Sequence, residues 1–167
     1  MKKIIVISDV DGCLTNGKFV YTVEGKVAKV YGPHDNDGVK LLRKNNIEVQ
    51  FISADKRGFD ITSKRITDMK CPISLVSEAE RADFLKQYID NEYDVFFFGD
   101  GLGDLAAYLK NADSGCIVLI APKNARPQVK EDAAYVTPHI GGEGAFLDLA
   151  EWVVKTIIPE KERKELY

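Results

Sequence analysis

The chain has 167 residues, of which 45% are hydrophobic and 29% are charged, values that are typical of a soluble globular protein. Its formal net charge of −3 provides no general basic surface for nucleic acid, and no apolar run approaches the roughly 20 residues of a membrane-spanning helix. The N-terminus enters an acidic motif too soon for a signal peptide, and three widely spaced cysteines (Cys13, Cys71 and Cys116) predict free thiols, so we expect a cytoplasmic protein.

The first strand is predicted from the apolar, β-branched run at residues 2–8, which is typical of a strand buried on both faces of a parallel sheet. It leads into Asp9-Val10-Asp11-Gly12. Side chains two residues apart on an extended segment point the same way, so Asp9 and Asp11 should project together from the carboxyl end of the strand. Open α/β sheets bind ligands at that end. A polar strand end followed by an Asp-Gly turn is the alternative interpretation.

A β-hairpin is predicted next, because apolar residues alternate from Lys18 to Tyr31 on both sides of Glu24-Gly25. A lone hairpin is marginally stable in water, so this one needs a surface to pack on. Its aromatic residues could serve the domain's own core or a subunit interface, and we favour the interface slightly.

The rest of the chain alternates helices and strands. Helices are predicted at about 38–44, 57–69, 78–90, 104–109, 124–132 and 145–158, and strands at 47–53, 73–76, 93–98, 116–121 and 135–136. This alternation indicates a doubly wound α/β fold, with a parallel sheet between two layers of helices. We predict a single domain over residues 1–158 and a solvated, charged tail over 159–167.

A second pair of carboxylates, Asp100 and Asp104, follows the apolar strand at 93–98, and Ser53 ends the strand at 47–53. Because the carboxyl ends of parallel strands share one edge, these side chains should converge with Asp9 and Asp11. Four carboxylates imply a hard cation, and Mg²⁺ fits best. The absence of His and Cys at these strand ends argues against zinc. The alternatives are helix N-terminal aspartates and an N-cap serine.

With these motifs the sequence resembles the haloacid dehalogenase superfamily of phosphatases, along nearly the whole chain except the tail. No large insertion precedes Ser53 or Asp100, so the chain is similar to the capless branch of that superfamily. Within this branch it resembles the phosphatases of 3-deoxy-octulosonate 8-phosphate and of nonulosonate 9-phosphates. This likeness depends on residues 35–38 (Asp-Asn-Asp-Gly), on Ser53 and on the glycine-rich turn at 141–145.

The resemblance implies a role for each acidic residue. Asp9 would attack phosphorus and form an aspartyl-phosphate, which splits a difficult hydrolysis into two easier steps. Asp11 would protonate the leaving alkoxide and then take a proton from the attacking water. Mg²⁺ would be held by Asp9, the Val10 carbonyl and Asp100, with Asp104 orienting the cation or its waters.

The resemblance also implies the substrate contacts. Ser53 would donate a hydrogen bond to a phosphoryl oxygen, and Ala54 and Arg57 would lie beside it. Gly142 and Glu143 belong to a turn that these enzymes place near a neighbouring subunit's active site.

Three positions depart from the family's pattern. Ala54 stands where a glycine is usual after the strand-end Ser or Thr, and Gly103 stands where Asn or Asp is common. Arg81 stands where a lysine is expected at the start of a helix, and we assign it to the catalytic site. Arginine keeps the charge but is a planar fork, so the exchange is not neutral. On its own, Arg81 would be interpreted as a solvated helix residue.

These residues predict a Mg²⁺-dependent phosphatase that acts on a small sugar phosphate of acidic type. A capless site is open to solvent, so a neighbouring subunit would act as its lid, and the resemblance implies a homotetramer with the hairpin at its interface. Two other classes are considered. A receiver-type module would accept a phosphoryl group without turnover, and a non-catalytic relative would bind sugar phosphate without hydrolysis.

Overall fold

The computed structural model describes residues 2–166. The strands are β1 (Lys3–Asp9), β2 (Phe19–Thr22), β3 (Gly25–Lys29), β4 (Glu48–Ser53), β5 (Ile73–Leu75), β6 (Tyr93–Phe98), β7 (Ile117–Ala121) and β8 (Tyr135–Val136). The helices are α1 (His34–Lys44), α2 (Phe59–Asp68), α3 (Arg81–Asp90), α4 (Leu102–Leu109), α5 (Pro127–Asp132) and α6 (Ala145–Ile157), with 3-10 turns at Lys56–Gly58, Ala112–Ser114 and Glu160–Glu162. Within residues 2–166, no helix combines the length and the apolar character needed to cross a bilayer.

Six strands form one parallel sheet in the order β5-β4-β1-β6-β7-β8. Strand β1 lies at its centre, with Asp9 beside Ile52 of β4 and Ser8 beside Phe98 of β6. The carboxyl ends of β4, β1 and β6 therefore meet at one edge of the sheet, as the predicted doubly wound fold requires.

Both faces of the sheet are covered, which explains the uninterrupted apolar sequence of β1. Ile5 and Ile7 pack in a core with buried residues of α3, α4 and α5, and Val6 packs in the opposite core with residues of α1, α2 and α6. Successive side chains of a strand point to opposite faces, so each face needs its own apolar set. The α/β fold predicted from the sequence is confirmed.

The hairpin forms a separate two-stranded antiparallel sheet from β2 and β3. Its turn lies at residues 23–24, one position before the predicted turn. The pairing register shifts between Val20 and Tyr21: Val20 is opposite Ala28 and Tyr21 is opposite Lys26. Val27 is therefore an extra residue in β3, which is a β-bulge. The bulge reverses the alternation, so Lys26 and Lys29 reach the same side of the hairpin.

Two helices begin later than their patterns predict. Helix α3 starts at Arg81, because the preceding residues form a turn that the Ser77 hydroxyl closes by donating to Glu80 Oε2 at 2.6 Å. Helix α5 starts at Pro127, a residue whose fixed φ and missing N–H suit the first helical position.

The charged tail packs against the body of the protein. The Asn45 side chain donates to the Lys164 carbonyl and accepts from the Lys164 N–H, both at 2.9 Å. Arg163 Nε donates to the Ile158 carbonyl at 2.8 Å, and Leu166 contacts the core that includes α1 and α6. This stretch is therefore anchored at several points, although most of its residues are exposed to solvent.

Asp35, in the first turn of α1, is fully buried. Neither of its carboxylate oxygens has a hydrogen-bond partner among the described residues, and Arg65 Nη2 lies 3.9 Å from Oδ2. Burial raises the pKa of Asp35 to about 7, and the Arg65 charge offsets only part of this effect. Asp35 does not cap α1, because the helix begins at His34 and has no side-chain cap hydrogen bond.

We predict that Asp35 makes stability depend on pH. Between its ordinary pKa of 3.8 and about 7, the folded protein binds more protons than the unfolded chain, so the free energy of unfolding falls as pH rises through this window. Asp35→Asn should remove this component and flatten the slope. Urea unfolding of both proteins at saturating Mg²⁺ across the window measures it, and identical slopes would contradict the prediction.

Candidate active site

Three carboxylates converge at the carboxyl edge of the sheet. Asp9 ends β1, Asp100 follows β6, and Asp104 lies in the first turn of α4. One oxygen of each lies within 4.8 Å of the others, and Asp9 and Asp104 are buried. Gly12 permits this approach, because it has a φ of +89° and a side chain at that position would collide with the Asp100 carboxylate.

The proximity of these carboxylates disfavours their charged forms. Burial raises the pKa of Asp9 well above its ordinary value, and the Asp104 charge raises it further. Burial and the Asp104 charge likewise raise the pKa of Asp100 to about 7. Such a cluster is suited to a divalent metal ion, which would favour the charged form of every carboxylate at once.

Arg81 is a second source of positive charge in the cluster. It is 3% exposed, its Nη1 donates a hydrogen bond to Asp104 Oδ1, and the same nitrogen lies 3.6 Å from Asp9 Oδ2. The interpretation of Arg81 as a solvated helix residue is therefore wrong. Arg81 is the first residue of α3, and from there its side chain reaches the carboxylates of Asp9 and Asp104.

Asp104 holds the loop that follows β6. Its Oδ2 accepts the N–H groups of Asp100 and Gly101, both at 3.0 Å, while its Oδ1 accepts from Arg81. An acidic side chain at this helical position that accepts from the N-cap amide forms half of a capping box. Asp104 therefore caps the helix and belongs to the acidic cluster at the same time.

Asp11 points toward the hairpin. Its Oδ2 lies 2.7 Å from Lys29 Nζ, which also lies 2.7 Å from Asp55 Oδ2. Lys26 Nζ contacts the same oxygen of Asp55 at 2.5 Å. Ion pairs thus join the hairpin to the carboxyl edge of the sheet.

A cleft of about 690 Å³ opens over the acidic cluster. Six of the residues predicted for the site line it: Asp9, Asp11, Ala54, Arg81, Asp100 and Asp104. Reasoning from sequence missed eight more lining residues: Phe19, Lys26, Asp55, Glu78, Gly101, Leu102, Gly103 and Arg126. Asp55 could have been predicted from the sequence, since it is a carboxylate just beyond a strand end. Nothing in the sequence pattern indicates that the lysines of the hairpin reach the site.

Other predicted residues lie outside the cleft lining. Ser53 is buried at the end of β4, beside β1, and its hydroxyl accepts the Asp55 N–H at 3.2 Å. Arg57 is exposed in the 3-10 turn that follows β4. The Val10 carbonyl accepts N–H groups of the following turn, among them that of Leu14 at 2.9 Å. The prediction of Val10 as a metal ligand is therefore not supported, because this oxygen is directed into the turn.

The glycine-rich turn supports the loop after Asp11 from within the same chain. The Asn124 side chain accepts from the Gly141 N–H and donates to the Gly12 carbonyl, both at 2.8 Å. A side chain at Gly141 would collide with the carbonyl oxygen of Thr15. Gly142 packs beside Leu14, and Glu143 is exposed; neither lines the cleft of its own chain.

Comparison with known proteins identifies the class. No protein-family model matches the chain. It is 29% identical over 154 residues to the 3-deoxy-D-manno-octulosonate 8-phosphate phosphatase KdsC of Haemophilus influenzae, covering 90% of this chain and 82% of that protein. The cobalt-bound crystal structure of the Haemophilus influenzae phosphatase superposes with a TM-score of 0.74, at 26% identity and 96% coverage of both chains. A Legionella pneumophila hydrolase of haloacid dehalogenase subfamily III A superposes with a TM-score of 0.75, at 25% identity, covering 95% of this chain and 86% of that one.

The chain therefore has the α/β fold of the haloacid dehalogenase superfamily, is similar to the capless branch of that superfamily, and is a phosphoric monoester hydrolase. Within that branch it is similar to the 3-deoxy-D-manno-octulosonate 8-phosphate phosphatases.

The acidic cluster predicts stabilisation by a divalent cation. At MgCl₂ about 100 times its Kd, the free energy of unfolding should rise by about 2.7 kcal/mol. Asp100→Asn should lose most of this gain. Asp90→Asn, which changes an exposed ion pair with Lys86, should keep it. Thermal unfolding with and without MgCl₂ measures the effect, and equal stabilisation of the wild type and Asp100→Asn would contradict the assignment.

Proposed function

We propose that this hydrolase removes the phosphoryl group from a small acidic sugar phosphate, of the 3-deoxy-octulosonate or nonulosonate type, with Mg²⁺ as its metal and through an aspartyl-phosphate. The observation that carries the proposal is the placement of Asp9 and Asp11 in one cleft with Asp100. The similarity to 3-deoxy-D-manno-octulosonate 8-phosphate phosphatases supports the substrate class.

Asp9 acts as the nucleophile in this proposal. Its carboxylate oxygen bonds to phosphorus while the bond from phosphorus to the sugar oxygen breaks, and Asp11 gives its proton to that oxygen. Water then attacks the aspartyl-phosphate, Asp11 takes a proton from the water, and the bond from Asp9 to phosphorus breaks. The Val10 N–H donates to Asp9 Oδ1 at 2.9 Å, which leaves Oδ2 for phosphorus.

The metal would be held by Asp9 and Asp100, with Asp104 close behind them. When bound, Mg²⁺ supplies charge neutralisation at the phosphoryl oxygens. Oxygen ligands and room for water and phosphate suit Mg²⁺. The cleft is lined by six carboxylates and three cationic side chains, an excess of negative charge that a divalent cation would reduce before an anionic substrate binds.

Three cationic side chains, those of Lys26, Arg81 and Arg126, would meet an anionic substrate. Arg81 is committed to Asp9 and Asp104. The backbone of Arg126 is fixed beside the metal site, because its N–H donates to the Asp100 carbonyl at 2.9 Å. Ser53 completes the predicted phosphate contacts, since its hydroxyl accepts one N–H and keeps its own hydrogen to donate.

We further propose that residues 1–158 act as one catalytic domain. We also propose that the protein works in the cytoplasm, where its three free cysteines would stay reduced.

Gly142 and Glu143 lie on the glycine-rich turn, outside the cleft of their own chain. In an oligomer they would contact the substrate bound by a neighbouring subunit.

The nucleophile assignment is tested with Asp9→Asn. The amide can still accept the Val10 N–H, so the fold should survive, but phosphatase turnover should fall roughly 10³-fold or more. Asp94→Asn, which changes a half-exposed carboxylate of β6, should keep full activity. A phosphate-release assay with 3-deoxy-D-manno-octulosonate 8-phosphate measures this. Retained Mg²⁺-dependent turnover in Asp9→Asn would overturn the mechanism.

Two other outcomes for the wild-type protein would support the competing classes. Binding of the sugar phosphate without hydrolysis would indicate a non-catalytic relative. A long-lived acyl phosphate without turnover would indicate a receiver-type module.

The exposed surface of the hairpin supports the proposal of a homo-oligomer. The hairpin and its flanks carry exposed apolar side chains: Phe19, Val20, Tyr21, Val23, Val27 and Val30. Exposed apolar patches of this kind mark interaction sites, and a second copy of the chain would bury the patch and cover the open cleft. We propose a tetramer with the hairpins at its interfaces.

Gel filtration with light scattering at micromolar protein should therefore show a tetramer. Val20→Glu, which places a charge on the hairpin patch, should shift the protein toward monomer. Leu109→Glu, at an apolar residue of α4 that is 54% exposed, should leave the oligomer intact. A monomeric wild-type protein would rule out the assembly.

A further inference from the structure

Lys29 is a buried lysine in the middle of an ionic network. Its side chain has no exposed surface, although it is carried on a hairpin whose strands are largely exposed. Its ammonium group contacts Asp11 Oδ2 at 2.7 Å, Asp55 Oδ2 at 2.7 Å and Thr62 Oγ1 at 2.9 Å. These partners belong to the loop after β1, the loop after β4 and helix α2.

The hydrogen-bonding capacity of Lys29 is fully used. An ammonium group has three N–H donors, and each of the three acceptors takes one. Burial lowers the pKa of Lys29, but the hydrogen bonds from its ammonium to Asp11 and Asp55 outweigh burial and raise that pKa above its usual value. Lys29 therefore stays charged and has no donor left for a substrate.

Lys26 provides the contrast. Its ammonium contacts Asp55 at 2.5 Å, lies 4.0 Å from the centroid of the Phe19 ring and lines the cleft. The hydrogen bond to Asp55 uses one of the three N–H donors of Lys26, and its place in the cleft lining suits contact with substrate. Two lysines on the same side of the hairpin thus have different environments, and only Lys29 reaches Asp11.

Two of the three partners of Lys29, Asp55 and Thr62, are themselves held by other contacts or by burial. Asp55 Oδ1 accepts the Gly58 N–H at 3.1 Å, while its Oδ2 takes both lysines. Burial raises the pKa of Asp55, but the hydrogen bonds from Lys26 and Lys29 dominate and lower it to about 2. Thr62 is fully buried on α2. Asp11 is thereby tied, through one ammonium group, to two fixed points of the body.

We infer that Lys29 is a positioning residue that fixes the carboxyl group of Asp11 for proton transfer to the leaving group. This inference rests on the proposed function. With Oδ2 of Asp11 held by Lys29, Oδ1 is the atom that carries the proton to the leaving oxygen as the bond from phosphorus to that oxygen breaks. Lys29 itself neither gains nor loses a proton. The hairpin therefore contributes to catalysis within its own chain.

Dependence on the leaving group separates this role from a purely structural one. Phenyl phosphate has a poor leaving group that needs a proton, whereas p-nitrophenyl phosphate has a good one that needs little assistance. General acid catalysis typically contributes about 10²–10⁴-fold, and loss of positioning should forfeit part of that. In Lys29→Met, kcat/KM for phenyl phosphate should fall about 10–100-fold and that for p-nitrophenyl phosphate less than about threefold, with the loss in kcat rather than KM.

Three further variants complete the test at saturating MgCl₂. Asp11→Asn should show the same selectivity to a larger extent, since it removes the acid. Thr62→Val removes one acceptor of Lys29 without changing the cleft lining, and should show a smaller loss confined to phenyl phosphate. Lys64→Met, at an exposed lysine of α2 paired with Asp68, should match the wild type with both esters.

Equal losses for both esters in Lys29→Met, or no loss with phenyl phosphate, would overturn the role of Lys29. Should Lys29→Met fail to fold, the same two outcomes in Thr62→Val decide the question. Absence of turnover of both aryl esters and of 3-deoxy-D-manno-octulosonate 8-phosphate by the wild-type protein would instead overturn the proposed function itself.

Discussion

Electrostatic repulsion among buried carboxylates is the constraint on which the catalytic edge of this protein depends. Asp9, Asp100 and Asp104 present oxygens within 4.8 Å of one another, and at an effective dielectric constant of about 20 such a pair of charges repels by on the order of 4 kcal/mol. Arg81 and two backbone amides offset part of this for Asp104. Asp9 and Asp100 receive less, so burial and mutual repulsion raise the pKa of each.

The same constraint explains why the surrounding residues are arranged as they are. An arginine is buried at the start of α3 because it faces two carboxylates. Gly12 is required because Asp100 occupies the space that a side chain would need. The arrangement creates a site for a cation. The negative charges of Asp9 and Asp100 have few compensating partners, and a divalent metal ion would neutralise them.

The hairpin joins this edge to the outer surface of the molecule. Its inner side delivers Lys29 to Asp11 and Lys26 to Asp55, and its outer side exposes Val20. A β-bulge at Val27 makes the inner side possible. Without the extra residue, side chains three positions apart would lie on opposite faces of the strand.

The sequence by itself determined the α/β fold, the existence of each strand and helix, and the meeting of the aspartates at one sheet edge. These follow from local rules: the period of the apolar residues, and the geometry by which parallel strands end together. Only the tertiary structure decided the burial of Arg81, the direction of the Val10 carbonyl into its turn, the placement of Gly142 and Glu143 outside the cleft of their own chain, and the contact between Lys29 and Asp11. Each of these depends on a loop conformation or on a one-residue shift in strand register, and neither leaves a periodic trace in the sequence.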